Sequence, residues 1–198
     1  VFIMKRLLLI LILTFSFQSG IKADDIRDFE IEGISIGDSL LDFMTENQIK
    51  DALKSKFSFY YPDKFVTISG WDIKYKFTTY DNVGFVLKLD DKSYKIFALE
   101  GTFLNQNGNI QDCYKKQNTI ANDVKKIIKT KYERDTWFLD KNRIKKHQLS
   151  VKYVDYISTN NRKPISIVCY DINRDGDEYT RLTVAIDSLE FDKFLDTQ

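Results

Sequence analysis

A chain of 198 residues, 43% of them hydrophobic and 14% aromatic, can bury one substantial core, so one domain is the default expectation. Charged residues make up 30% of the chain, only two prolines occur and no stretch is of low complexity, which excludes extensive disorder. The formal net charge of +1 gives the chain no overall electrostatic attraction for nucleic acid, so we expect no nucleic-acid partner.

The N-terminal segment, residues 1–23, has the anatomy of a secretory signal peptide. A short basic region at 4–6 is followed by eleven mostly apolar residues at 7–17 and by Ala23 at a plausible cleavage position. Eleven apolar residues fall short of the roughly 20 that span a bilayer. We therefore predict a periplasmic or secreted protein whose mature domain is 24–198, with no stable membrane insertion after cleavage. A retained membrane anchor is the alternative.

Residues 110–129 form the longest segment with a sustained helical period. Its apolar positions gather into one stripe, composed of Cys113, Ile120, Val124, Ile127 and Ile128. The opposite side is rich in lysine. This pattern predicts a helix that packs on a sheet, with Cys113 pointing inward and the lysines in water. Contact of the lysines with anionic lipid or polysaccharide is the alternative.

Shorter helices are predicted near both ends of the mature chain. Asp38 or Ser39 can cap one, and Thr45 with Gln48 has the spacing of a capping box for another. Ser188 can cap a helix that ends the chain.

Between the helices the apolar residues alternate with period two, as in half-buried strands. The segments include 73–77, 94–104, 143–156 and 179–186, whereas Trp137 falls in a polar connection. Antiparallel strand order with helices at the start, middle and end predicts an α+β fold, a single domain with a meandering antiparallel sheet and helices packed on one face.

Cys113 and Cys169 are the two cysteines, and both fall on faces assigned to the core. In an oxidising compartment such a pair predicts a disulfide between the helix and a strand, worth about 4 kcal/mol on the chain-entropy model. Two buried free thiols are the alternative. The absence of a Cys-x-x-Cys motif disfavours a redox enzyme.

Residues 171–177 resemble the first half of a calcium loop. Asp171, Asn173, Asp175 and Asp177 would supply the oxygen ligands, with glycine at position six. Position twelve is Leu182, where a bidentate glutamate belongs. An Asp-Gly hairpin turn between two strands accounts for the same residues, so the calcium site is the weaker of two readings.

His147 is the only histidine, which excludes a zinc site built from several histidines. No nucleophile motif of the Gly-x-Ser-x-Gly type lies near it. A carboxylate pair of the glycosidase type stays open, since acidic residues are abundant and no pair stands out. We single out no catalytic residue and predict no cofactor.

Three segments carry a resemblance to known proteins: IEGISIGDSLL at 31–41, DCYKK at 112–116 and VCYD at 168–171. They resemble a group of uncharacterised exported proteins from small-genome marine bacteria. The two cysteines match the pattern of that group, which implies the same disulfide. The group has no assigned activity, so the resemblance implies no catalytic residue. The Gly-rich entry into a short helix is also similar to small envelope modules of the outer-membrane-assembly and β-lactamase-inhibitor-like type.

The sequence favours a soluble exported protein that acts as a non-catalytic binding or interaction module for an unknown envelope protein or ligand. A carboxylate-using hydrolase of the cell envelope is the alternative, and a calcium- or surface-associated envelope protein is a further one. A concave pocket with clustered buried carboxylates would favour the hydrolase. An exposed aromatic patch would favour the module.

Overall fold

The computed structural model describes residues 26, 29–62, 64–72, 76–106, 108–128, 132–139, 148–158, 162–174 and 177–197. The predicted signal peptide at 1–23 lies outside these residues. Within them, none of the helices combines the length and hydropathy needed to cross a bilayer.

Strands dominate the described part of the chain. They are β1 (Glu30–Ile31), β2 (Ile34–Ser35), β3 (Phe59–Tyr60), β4 (Phe65–Ser69), β5 (Asn82–Lys88), β6 (Ile96–Gln106), β7 (Tyr132–Phe138), β8 (Gln148–Ser158), β9 (Ile165–Arg174) and β10 (Asp177–Asp187). The helices are α1 (Glu46–Leu53), α2 (Ile110–Ile128) and α3 (Leu189–Leu195), with 3₁₀ turns at Leu40–Asp42 and Gly70–Asp72. The predicted α+β fold is confirmed.

Among the described residues, strands β3 to β10 form one antiparallel sheet in the order β3-β4-β5-β6-β10-β9-β8-β7. The sheet consists of two meanders, β3–β6 and β7–β10, that meet where β6 pairs with β10. Helix α2 follows β6 and carries the chain to β7 at the far edge. The strands β1 and β2 pair only with each other.

The predicted helix caps are present. Thr45 and Gln48 form a complete capping box at α1, in which each side chain bonds the backbone N–H of the other residue. The Ser188 hydroxyl accepts a hydrogen bond of 3.2 Å from the Phe191 N–H at the start of α3, and Ser39 caps the first 3₁₀ turn.

The two faces of the sheet are covered differently. Helices α1 and α2 pack on the first face, which we call the helix face; its buried side chains include Ile68, Phe85, Leu99, Ile167 and Val184. Helix α3 packs on the opposite face, which we call the second face, where Phe191 contacts the cluster of Phe65, Val86, Phe97 and Ala98. The two longer helices therefore share one face as predicted, and the short terminal helix takes the other.

The buried side of α2 differs in part from the predicted stripe. Cys113, Val124 and Ile128 are buried as expected, but Ile127 is 44% exposed and Gln117 is fully buried. The Gln117 amide donates hydrogen bonds to the carbonyl oxygens of Lys152 and Ile167, at 2.9 and 2.7 Å. These bonds satisfy two strand carbonyls beneath the helix and rotate Ile127 toward solvent.

Cys113 and Cys169 form a disulfide, as predicted, with their Cα atoms 6.0 Å apart. The bond joins the first turn of α2 to the middle of β9 and closes a loop of 56 residues in sequence separation.

Two strand predictions need correction. Trp137 belongs to β7 rather than to a connection; its ring stacks on Tyr153 of β8 with centroids 4.0 Å apart, and its indole N–H donates to Asp155 at 2.7 Å. The strand expected at 73–77 is not found at Lys76 and Phe77, which lie outside any strand, and 73–75 lie outside the described residues.

We expect the double replacement of Cys113 and Cys169 by alanine to lower the free energy of unfolding by about 2–4 kcal/mol, because the unfolded chain regains the entropy that the closed loop removes. Urea unfolding of the variant and of the reduced wild-type protein measures the loss. An unchanged unfolding midpoint in both samples would show that the bond does not stabilise the fold.

Candidate functional site

A cleft of about 180 Å³ opens on the second face of the sheet, beside helix α3. We call it the carboxylate cleft. Its lining comes from the β3–β4 loop, from β4, β5, β6 and β10, and from α3, and consists of Tyr61, Thr67, Gly84, Val86, Ala98, Leu99, Glu100, Ala185, Asp187, Phe191 and Leu195. The cleft is therefore built by both meanders together with the C-terminal helix.

Small residues make the cleft possible. Glu100 of β6 pairs with Gly84 of β5 on one side and with Ala185 of β10 on the other, so its direct neighbours are small. Asp187 pairs with Ala98, which also has a small side chain. Glu100 and Asp187 are thus diagonal neighbours on adjacent strands, a relationship that places their Cβ atoms roughly 7 Å apart.

Asp187 is the most perturbed acidic group of the cleft. Burial, with further contributions from the negative charges of Asp192 and Glu100, raises the pKa of its carboxyl to about 7. Among the described residues, the Asp187 carboxyl has neither a hydrogen-bond donor nor a cationic partner. A half-ionised and unpaired carboxyl in a cleft is costly for the fold, and such groups cluster at functional sites.

The neighbouring groups do not relieve this cost. Burial raises the pKa of Glu100, and the positive charge of Arg181 with the Thr102 hydroxyl, which donates at 3.4 Å, offsets only part of the rise. Glu100 nevertheless keeps an exposed side chain, as expected for a group that lines an open cleft. Burial also raises the pKa of Asp192, although Arg162 and the Lys163 backbone act to lower it.

Aromatic rings form one wall of the cleft. Tyr61 packs edge-to-face against Phe191 and Phe194 of α3, with ring centroids 5.3 and 6.0 Å apart. Leu195 completes this wall and is partly exposed at the mouth. The cleft therefore has an apolar side and an acidic side.

In two larger clefts several of the charged groups are already paired. In the cleft of about 340 Å³ near α1, the Asp91 carboxylate accepts from the Ser93 N–H and hydroxyl, and Lys88 pairs with Glu190. In the cleft of about 310 Å³ near the disulfide, Lys116 lies 3.3 Å from the centre of the Phe103 ring.

Asp155, a buried acidic residue of the second face, is also fully paired. Its carboxylate accepts from the Trp137 indole at 2.7 Å and from the Ser166 hydroxyl at 2.7 Å, and it forms an ion pair with Lys163 at 3.1 Å. This arrangement stabilises β7, β8 and β9 and leaves no charge for a ligand. The Asp187 carboxyl of the carboxylate cleft, by contrast, has no such partner among the described residues.

The structure does not decide the calcium hypothesis. Asp171 and Asn173 lie within β9, which pairs with β10 up to Arg174 and Asp177, in agreement with the hairpin reading. Asp175 lies outside the described residues, as does His147, and the side chain of Asp177 is not described. Within the described part of the chain, no group of three metal-binding side chains comes together. The calcium site stays a prediction.

Neither Glu100 nor Asp187 was predicted as a site residue from the sequence. Each has a recognisable signal: Glu100 is the only charged residue in the strand sequence IFALEGTF, and Asp187 continues the alternation of a buried strand into the cap of α3. The sequence alone does not predict that β6 and β10 are neighbouring strands, and it is this pairing that brings the two residues together.

Comparison with known protein families, curated proteins and solved structures gave no match to this chain.

We expect replacement of Asp187 by asparagine to stabilise the protein at pH 8. The pKa is raised from 3.8 to about 7 on folding, so the folded state binds more protons and stability falls as pH rises between those values. Removing the titration of Asp187 should raise the free energy of unfolding at pH 8 by roughly 2–4 kcal/mol and weaken its dependence on pH from 5 to 8, of which the raised pKa values of Glu100 and Asp192 leave a part.

Urea unfolding at pH 5 and pH 8 measures this effect. Asp135→Asn is the matched control, because it removes the same charge from an exposed position on the edge strand β7. A loss of stability in Asp187→Asn at pH 8 would mean that Asp187 has a stabilising partner.

Proposed function

We propose that the protein is an exported, non-catalytic binding module that holds part of its ligand in the carboxylate cleft. The observation that carries this proposal is the unpaired carboxyl of Asp187, on the acidic side of a cleft whose other side is aromatic. A ligand would supply the partner that the described residues do not.

Exposed aromatic rings support binding of a larger partner. Phe59, which lies beside the cleft, is 60% exposed, and Phe57 and Trp71 are 50% and 58% exposed. The Phe59 ring lies 4.9 Å from that of Tyr61 in the cleft wall, and Phe57 contacts Trp71 with centroids 6.3 Å apart. Clustered exposed aromatic rings are typical of interaction surfaces.

Export is supported by the disulfide together with the pattern of the first 23 residues. Disulfides persist in oxidising compartments and are rare in the reducing cytosol of mesophilic organisms. Alkylation of free thiols in intact cells, before lysis, checks this proposal: Cys113 and Cys169 should be protected in the mature protein. Quantitative labelling of both would contradict export.

A carboxylate-using hydrolase is the second candidate, and the pKa of Asp187 is the observation that favours it. A carboxyl that titrates near pH 7 is suited to act as a general acid or base at neutral pH, and Glu100 lies close by. The binding proposal ranks first because the cleft is small and no histidine, serine or cysteine lines it among the described residues.

Ligand-observed NMR against a panel of neutral sugars, carboxylic acids, alkylamines and short peptides tests the binding proposal. We expect the wild-type protein to show saturation transfer to at least one class at ~1 mM, the weak range in which fragments bind. Gly84→Val should abolish this binding, because the larger side chain fills the floor of the cleft. The fold should tolerate the change, since an added Cβ meets only ordinary contacts, the nearest at 3.7 Å.

Thr136→Val on the exposed edge strand is the control for adding an apolar group to the sheet. Binding that persists in Gly84→Val would place the ligand elsewhere, and no binding by any class would reject the module. Hydrolysis of a panel member by the wild type but not by Asp187→Asn would favour the second candidate.

A further inference from the structure

We propose that the ligand group held in the carboxylate cleft is a primary ammonium on an aliphatic stem, as in a lysine side chain of a peptide or protein partner. This inference rests on the proposed binding function and names the chemistry of its ligand. It is supported by the negative charge of the cleft, by its aromatic wall and by its volume.

The charge of the cleft is unbalanced toward the negative. Glu100 and Asp187 line it, whereas the nearby buried Asp192 is balanced by an ion pair with Arg162. The nearby cations do not pair with Asp187. Arg181 lies over the Tyr170 ring at 4.1 Å, where its charge acts to lower the pKa of Glu100, and Lys163 pairs with Asp155.

Arg162 forms ion pairs with Asp192 of α3 and with Asp196, which follows the helix. The charged and titratable groups that face Asp187 are therefore Glu100 from β6, Asp192 from α3 and Tyr61 from the β3–β4 loop. Each of the two carboxylates disfavours ionisation of Asp187. A bound ammonium would supply the positive charge that this set lacks.

The aromatic wall suits the same ligand. Tyr61 and Phe191 present ring surface beside the carboxylates, and Leu195 extends the apolar side to the mouth. An ammonium is attracted to aromatic faces, and the methylene groups behind it pack on apolar ones. Anionic ligands would be repelled by Glu100 and Asp187.

The volume of the cleft indicates whether it holds one side chain of a partner or a whole small molecule. A volume of about 180 Å³ is below the 300–1,000 Å³ of pockets that enclose drug-sized ligands, and equals the space of about six waters. A four-carbon stem with its ammonium fits this space. The rest of a partner would lie outside, where the exposed ring of Phe59, which contacts Tyr61, is available to it.

Calorimetric titration with Nα-acetyl-lysine amide tests the inference, with the Nε-acetylated form of the same compound as the neutral counterpart. We expect the wild type to bind the charged form at least about tenfold more tightly than the neutral form. Asp187→Asn should reduce the affinity for the charged form about tenfold, and Asp135→Asn, which changes the net charge equally, by less than about twofold.

Binding of the charged form should also strengthen between pH 6 and pH 8 in the wild type, as Asp187 ionises, and should change less in Asp187→Asn, in which Glu100 is the acidic group of the cleft that remains. Melting curves of both variants confirm that they are folded. Butylamine and a lysine-centred pentapeptide as further probes distinguish a free amine from a peptide side chain: an affinity for the pentapeptide no higher than that for butylamine would assign the cleft to small amines and overturn the peptide partner.

The failures of the two proposals are distinguishable. Equal binding of the charged and neutral lysine forms, or binding of a sugar or acid from the panel with no binding of the lysine amide, would overturn the ammonium inference and leave the binding module intact. Failure of the wild-type protein to bind any member of the panel would reject both the ammonium inference and the binding module.

Discussion

The pairing of β6 with β10 is the contact on which the rest of the structure depends. It spans nine residue pairs, from Tyr179 opposite Gln106 to Asp187 opposite Ala98. Each meander on its own is a local structure of sequential hairpins, and this pair alone joins them into one sheet. It also brings Glu100 beside Ala185 and diagonal to Asp187, so the sheet and the cleft are created by the same set of hydrogen bonds.

Local sequence patterns predicted the parts of the fold that depend on local physics. The capping box at Thr45, the cap at Ser188 and the extent of α2 follow from side-chain to backbone bonding and from helical periodicity. The disulfide was also predicted, because two inward cysteines in a chain predicted to be exported favour a bond between them. The class of the fold follows from the order of these elements.

The remaining features depend on contacts between distant segments, which periodicity does not encode. The rotation of α2 is set by Gln117, whose amide bonds two carbonyls of strands that follow much later in the chain. A register shift near Val86 places Ile96 on the helix face and Ala98 with Glu100 on the second face. Simple alternation from Ile96 through Glu100 places all three on one side, so periodicity alone does not separate the core residue Ile96 from the two residues that line the cleft.

Two acidic residues of this chain show opposite effects of the fold on the pKa of a carboxyl group. Glu32 sits in the β1–β2 turn at φ 58° and accepts hydrogen bonds from the Thr78 N–H and hydroxyl and from the N–H groups of Thr79 and Tyr80. Although burial acts in the opposite direction, these donors lower its pKa to about 2, so the ionised group stabilises the fold.

Asp187 is the opposite case, since burial raises its pKa and no donor in the described chain compensates for it. The fold can supply four donors to a carboxylate where stability requires them, as it does at Glu32 and, with three donors, at Asp155. A carboxyl left without them costs stability, and a cost of this kind persists where binding or catalysis depends on it. This contrast within one molecule, rather than the acidity of the cleft alone, distinguishes Asp187 from Glu32 and Asp155.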